Sequence, residues 1–344
     1  MPKQDYLLKC PELLKEFLFY IKTIKGCSEK TVFAYYTDLS LFFRYILSVQ
    51  NNLNIADIDS VEIISLKTEF FCNITLNDVY AFLNYTIDVR HNSASTRSRK
   101  VSSIRAFYDY LTTKTPYLKD NPVSNLSTPK IGQRLPIYLS LEESIDLLKN
   151  ANTSSPKRDF LIITLFINCG MRISELVGIN LGDFTLSDNE NSIKIIGKGN
   201  KQRIVYLNKA CILALEDYLK NERKHLPNDN AKAPLFLSRQ DKRITVRRVE
   251  QIVDECLKNA NLDGKGYSPH KLRHTAATLM HKKGADMLAL KEILGHENVS
   301  TTQIYTHLSK KEIENVMLNS PLANFKNEDK NNKNNEDKNN KNKE

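Results

Sequence analysis

The apolar positions in the first third of the chain recur at helical intervals. Leu13, Leu14, Phe17, Leu18 and Ile21 fall on one helix face. Ser28, followed by Glu29, predicts the start of a second helix whose inward positions are Phe33, Tyr36, Leu39, Phe42 and Phe43. Thr75 and Asp78 have the spacing of a capping box and open another helix through Val79, Phe82 and Leu83. Ser93 to Leu111 predicts a helix of mixed character. Val101, Ile104, Phe107, Tyr108 and Leu111 form its buried side, and Arg97, Arg99, Lys100 and Arg105 punctuate the rest. Such a basic side could follow a row of phosphates or simply face solvent.

The pattern lapses at Asp120 to Pro136, DNPVSNLSTPKIGQRLP, which combines three prolines with a glycine and several turn formers. We therefore divide the chain into an N-terminal domain, residues 1–132, and a C-terminal domain, residues 133–325. In the second domain Ser140 predicts a cap for a helix through Glu143, Ile145 and Leu148. Pro156 stands near the start of the next helix, with Phe160, Ile163, Phe166 and Ile167 as core and Gly170 as its end. Arg172 to Val177 starts another. Ser192–Ile196 and Gln202–Leu207 alternate apolar and polar residues around Gly197-Lys198-Gly199-Asn200, which predicts a β-hairpin. From Lys209 onward the pattern is mostly helical. The expected fold class is mainly α: an all-α N-terminal domain and a mainly-α C-terminal domain carrying a small antiparallel β-sheet.

Residues 326–344 hold six lysines against five acids and no apolar residue, so they cannot bury enough surface to order themselves; we expect a disordered low-complexity tail. The formal charge of the whole chain is +10, from 50 Lys and Arg against 40 Asp and Glu, a weak pointer to a polyanionic partner. The most apolar run, Phe160 to Ile167, is far too short to span a bilayer, and MPKQDYLLKC lacks the apolar core of a signal peptide. Six scattered cysteines without a CxxC pair read as buried thiols of a reducing, cytoplasmic compartment.

Four clusters in the second domain are hard to explain as packing. They are GMRISEL with Arg172, the basic hairpin tip IGKGNKQR with Lys198, Lys201 and Arg203, SPHKLRH with His270 and Arg273, and LGH with His296, followed nine residues later by Tyr305. Ser268 reads as an N-cap and Pro269 as the first helical residue, so His270 and Arg273 share one face of a first turn. His270 and His274 have the spacing of a zinc pair, but Lys271 and Arg273 lie between them and would repel a dication. Singly, each residue has a plain alternative: Arg172 as the salt-bridge partner of Glu175, Lys198 as a turn lysine, His296 as a core histidine, Tyr305 as a packing aromatic.

Together, GMRISELVGINLGD, GKGNKQRIVYL, SPHKLRHTAATLM and LGHENVSTTQIYTH resemble the tyrosine recombinases, also called the phage-integrase family, most closely those of Xer type. The resemblance is dense from Leu161 to His307 and continues into SASTRSRKVSSIRAFYDYL, which looks like the family's core-DNA-binding segment. It implies a catalytic set of Arg172, Lys198, His270, Arg273, His296 and Tyr305, and DNA contacts from Arg97, Arg99, Lys100, Arg105, Lys201 and Arg203. It implies site-specific recombination, serving chromosome or plasmid dimer resolution or DNA integration and excision. Tyr305 would attack the scissile phosphate and form a 3′-phosphotyrosyl link. No metal or other cofactor is implied.

The physics of each role is consistent. Two forked guanidiniums suit the charge that grows on the non-bridging oxygens. A phenol with a pKa of about 10 needs help to lose its proton, which falls to His270. Lys198 at a hairpin tip could protonate the leaving 5′-oxygen, and His296 would hydrogen-bond the phosphate. The partners implied are duplex recombination sites, a homo-tetramer or a hetero-tetramer with a related recombinase, and a DNA translocase, with no membrane. Asn51 to Asn73 is longer than the family pattern, and the tail is an addition to it. The segment LSKKEIENVMLNSP after Tyr305 could pack on its own domain, whereas the family docks it on a neighbouring protomer. A type IB topoisomerase and a non-enzymatic DNA-binding regulator are the rival readings. Strand exchange between two duplexes separates off the first, and covalent attachment to DNA the second.

Overall fold

A computed structural model describes residues 5–130, 132, 137–187, 190–197, 201–227, 229–295 and 310–325. It divides into two compact units, Met1–Arg134 and Leu135–Glu344. The expected tail, residues 326–344, lies outside the described residues.

The first unit is helical: α1 Glu12–Thr23, α2 Glu29–Gln50, α3 Thr68–Cys72, α4 Leu76–Asp88 and α5 Ala94–Thr113. Sequence-local caps set the starts. The Ser28 hydroxyl accepts from the Thr31 amide, Thr75 and Asp78 close a capping box, and Ser93 accepts from Thr96. The core is rich in aromatics: Phe17, Phe42, Phe43, Phe71, Phe82, Phe107 and Tyr108 are fully buried. Phe43 meets Phe71 edge-on at 4.8 Å and Phe17 meets Phe107 at 5.4 Å, the arrangement that ring quadrupoles favour. The Tyr108 hydroxyl, buried among them, donates to the Phe71 carbonyl at 3.0 Å.

One expectation changes here. Phe33 was placed inward but is 41 % exposed, because the first turn of α2 meets little beyond Tyr6 and Tyr36. Asn51 to Asn73 forms a 3₁₀ turn, Ile55–Ser60, and the short α3. Ile58, Ile63 and Phe71 from this stretch enter the same core, and Arg44 of α2 donates to the Val61 carbonyl.

The second unit comprises α6 Leu141–Lys149, α7 Pro156–Cys169, α8 Ile173–Gly178, β1 Phe184–Leu186, β2 Asn191–Ile196, β3 Gln202–Tyr206, α9 Lys209–Asn221, α10 Val246–Asn259, α11 Pro269–Lys282, α12 Met287–Leu294 and α13 Lys310–Leu318. Every residue of α7 from Arg158 to Cys169 is buried, so this helix is the axis on which the others pack. Gly170 ends it in the left-handed conformation at φ +59°. The sheet has the order β1-β2-β3, both pairs antiparallel, with Ser192 opposite Tyr206 and Ile196 opposite Gln202. β1 was not expected. Its three residues carry no alternation of their own and are recruited by backbone pairing to the free edge of β2.

α13 and the residues after it pack on their own unit. Met317, Leu322 and Ala323 are buried, Ala210 donates its amide to the Ala323 carbonyl at 2.7 Å, and the Phe325 ring lies 6.3 Å from Phe160. Among the described residues no helix is long and apolar enough to cross a membrane.

Candidate active site

Three arginines distant in sequence converge on one buried carboxylate. Arg172 occupies the N-cap position of α8, and Glu175 follows in the first turn of the same helix. The Glu175 side chain is 1 % exposed. Its oxygens accept from the Arg172 amide at 2.7 Å, from Arg172 Nη1 at 2.8 Å, and from Arg203 Nη1 and Nη2 at 2.7 and 2.9 Å. Arg273, the fifth residue of α11, brings Nη1 to 3.8 Å from the same carboxylate.

The far side of the cluster is the C-terminal turn of α12. Three successive carbonyls there each accept from a different arginine: Ile293 from Arg203 Nε at 2.9 Å, Leu294 from Arg273 Nη2 at 2.5 Å, and Gly295 from Arg172 Nη2 at 2.9 Å. These are the carbonyls a helix end leaves without partners, and they carry its negative dipole end. Arg273 also donates to the Gly170 carbonyl at 2.7 Å. Two glycines make this approach possible. Gly295 is left-handed at φ +64°, and a Cβ there would stand 3.2 Å from Arg203 Nη1; a Cβ on Gly170 would stand 2.6 Å from Leu294 Cδ2.

Three guanidiniums against one carboxylate leave the cluster positive. Burial would raise the Glu175 carboxyl, but hydrogen bonds from Arg203 and Arg172 outweigh it and hold the group below its ordinary range. Burial, and then the neighbouring charge of Arg172, push Arg273 down to about 10, so it remains a cation at neutral pH. Arg172 is the most open of the three, with 34 % of its side chain exposed against 13 % for Arg203 and 6 % for Arg273. A cluster held positive in advance of any ligand is a receptor for an anion such as a phosphate.

Of the other expected catalytic residues, His270 stands exposed one turn before Arg273 on α11. Lys198, His296 and Tyr305 lie outside the described residues. Ser268 holds the N-cap position of α11, but its side chain makes no capping bond; Pro269, next in line, has no amide to offer. The carboxylate of Glu143 ties this lead-in down instead, accepting from Tyr267 at 2.9 Å and from Lys265 at 2.8 Å. Burial, then the Glu143 hydrogen bond, push the Tyr267 hydroxyl up to about 12.

The expected DNA contacts separate into two kinds. Lys100 turns inward: its side chain is 5 % exposed and spends its charge on Asp38 at 3.0 Å, a carboxylate with no exposed surface that also accepts from Arg99 and Ser103. Arg203 likewise turns inward, to Glu175. Arg105 donates to the Leu126 carbonyl and to Thr128, and Arg97 to the Asn92 carbonyl at 2.6 Å. Arg99 keeps 48 % of its side chain exposed while bonded to Asp38, and Lys201 is exposed beside the hairpin tip. Sequence reasoning missed Glu175 as more than a salt-bridge partner. The available signal was a glutamate between Ile173 and Leu176, which burial would make costly without cations.

Residues 138–312 match the phage integrase family. The chain is 47 % identical over 319 residues to tyrosine recombinase XerC of Caldanaerobacter subterraneus subsp. tengcongensis, covering 92 % of this chain and 88 % of that protein. Its fold is similar to the XerH site-specific recombinase crystallised on a palindromic difH substrate in a post-cleavage complex, with a TM-score of 0.60 and 22 % identity over 91 % of this chain and 95 % of that one. It is likewise similar to a lambda integrase tetramer bound to a Holliday junction, with a TM-score of 0.61 and 17 % identity over 86 % of this chain and 79 % of that one.

Proposed function

This chain belongs to the phage integrase family, as a Xer-type tyrosine recombinase, and from that premise we propose that its converging arginines receive the scissile phosphate of a metal-free strand exchange. The enzyme is a site-specific recombinase, acting on duplex DNA by cleaving and rejoining strands. The observation that carries the assignment is the convergence of Arg172 and Arg273 beside Glu175, which fixes two guanidiniums near one point before DNA arrives. They neutralise the charge that builds on the non-bridging oxygens as the phosphorus becomes five-coordinate.

In this reading the Tyr305 oxygen attacks phosphorus, and His270 takes its proton. Lys198 protonates the departing 5′-oxygen, and His296 hydrogen-bonds the phosphate. The 3′-phosphotyrosyl ester keeps the bond energy, so a 5′-hydroxyl from a second duplex reverses the step and frees the tyrosine. We assign the active form as a tetramer on two paired sites, formed by this chain alone or with a related recombinase, in the cytoplasm. Its biological task is chromosome or plasmid dimer resolution. The lambda integrase tetramer of the same fold supports the assembly.

The test is a trapping experiment. Full-length protein is mixed with a library of nicked duplexes and denatured in detergent, and the DNA that stays attached is sequenced. One enriched sequence joined through its 3′-phosphate is expected, together with hybrid products from two differently labelled duplexes. Attachment through a 5′-phosphate, or none on any duplex, would overturn the reading. Relaxation of supercoils without hybrids would point to a topoisomerase instead.

The first unit gives a separate prediction. Arg99→Gln is expected to weaken duplex binding and to reduce the slope of log affinity against log salt by about 1, with a smaller fall in Tm than Lys100→Met because Asp38 keeps its buried lysine. Lys100→Met should do the reverse. It uncovers part of the buried Asp38 charge, costing roughly 3 kcal/mol of stability, while the salt slope stays as it was. Equal salt-slope losses in both variants would return Lys100 to the DNA surface.

A further inference from the structure

Arg203 sits on β3, where the alternation of the strand is informative. Ile204 faces solvent at 45 % exposure and Val205 is buried, so Arg203 points to the inner face with Val205. A charged residue on that face needs a partner. Arg203 has two: a fork onto both oxygens of Glu175, and its Nε on the Ile293 carbonyl. Little donor capacity or exposed surface remains for a phosphate.

What it joins is the point. Glu175 holds Arg172 from α8, and the C-terminal turn of α12 holds Arg172 and Arg273 through the Gly295 and Leu294 carbonyls. Arg203 is bonded to both supports and belongs to neither. Its guanidinium fills the space that the missing Gly295 side chain leaves open. We propose that Arg203 is a positioning residue for strand cleavage: it clamps the Glu175 carboxylate to the end of α12 and so fixes the two guanidiniums that receive the phosphate. The inference rests on the recombinase reading above. Without the clamp, Glu175 keeps Arg172 and the more distant Arg273, and the Ile293 carbonyl loses its donor. A displacement of reacting groups by about 1 Å costs on the order of 100-fold in rate.

The test uses full-length Arg203→Lys and Arg203→Gln on a nicked duplex carrying the site mapped by trapping. Three quantities are read: duplex affinity, the rate of covalent product at saturating DNA, and Tm. Both variants should bind within about twofold of the parent and form covalent product roughly 100-fold more slowly. Lysine should fail to rescue although it keeps the charge, because it cannot fork. The pH profile adds a readout that packing alone would not move. The charged groups facing Glu175 are Arg172 of α8, Arg203 of β3 and Arg273 of α11. Losing Arg203 raises the Glu175 carboxyl, so the acid limb of the cleavage rate should shift to higher pH in Arg203→Gln.

Parent-like cleavage by Arg203→Lys would overturn the proposal, since charge alone would then suffice. A fall in affinity that accounts for the whole loss of rate would make Arg203 a DNA contact. Failure of both variants to fold would make it a stability residue only. If the parent itself forms no covalent product, the recombinase reading fails first, and is identified as the failure.

Discussion

Covalent attachment to DNA is expected to vanish in Tyr305→Phe while duplex affinity stays within about twofold of the parent. The substitution keeps the ring and deletes only the attacking oxygen, and an attack on phosphorus without a nucleophile has no slower version. Lys198→Ala should differ in kind. The nucleophile remains, and the 5′-oxygen must leave without its acid, so covalent product should form about 10²–10⁴-fold more slowly. A substrate whose bridging 5′-oxygen is replaced by sulfur has a leaving group that needs no proton. It should restore Lys198→Ala and do nothing for Tyr305→Phe. Robust covalent complex from Tyr305→Phe would sink the nucleophile assignment. Failure of sulfur to rescue Lys198→Ala would remove only that lysine's role as acid.

The parts of this fold that were legible in sequence are those decided locally. Ser28, Thr75 and Ser140 accept hydrogen bonds from amides three residues away, Gly170 needs no Cβ at positive φ, and a two-residue period marks β2 and β3. What was not legible was decided by partners distant in the chain. β1 exists because β2 offers an unpaired edge. Phe33 has helical spacing like Phe42 but meets only the partly buried rings of Tyr6 and Tyr36, and stays 41 % exposed. Lys100 and Arg203 read as phosphate ligands because sequence shows the sign of a charge and not its neighbour. Asp38 lies 62 residues from Lys100, and Glu175 lies 28 from Arg203. The same limit hid the most informative feature of the site. Arg172 and Arg273 stand out by motif, but the carboxylate and the helix end that hold them belong to two different elements, α8 and α12.

That carboxylate carries the second large effect. Glu175→Gln keeps the shape of the side chain and removes the one negative charge that the described residues place among three buried or half-buried guanidiniums. Breaking one partner out of a buried ion cluster costs about 3–5 kcal/mol, so a substantial fall in Tm at neutral pH is expected. Arg273, already pushed down to about 10 with the carboxylate present, loses the neighbouring negative charge that favours its own. Cleavage should fall by about 100-fold or more, because an amide cannot hold the forks of Arg172 and Arg203 in place.

The pH dependence distinguishes this account from a simple packing defect. In the parent the folded-state carboxyl lies below its unfolded value of about 4.3, so its contribution to stability is present in full above that pH. It is lost as the pH falls through the folded value. Glutamine does not titrate, so the stability gap between parent and variant should be widest near neutrality and close steadily below about pH 4. A gap that stays constant into acid would mean that the Glu175 charge does not hold the arginines, and the phosphate site would then need another origin for its order.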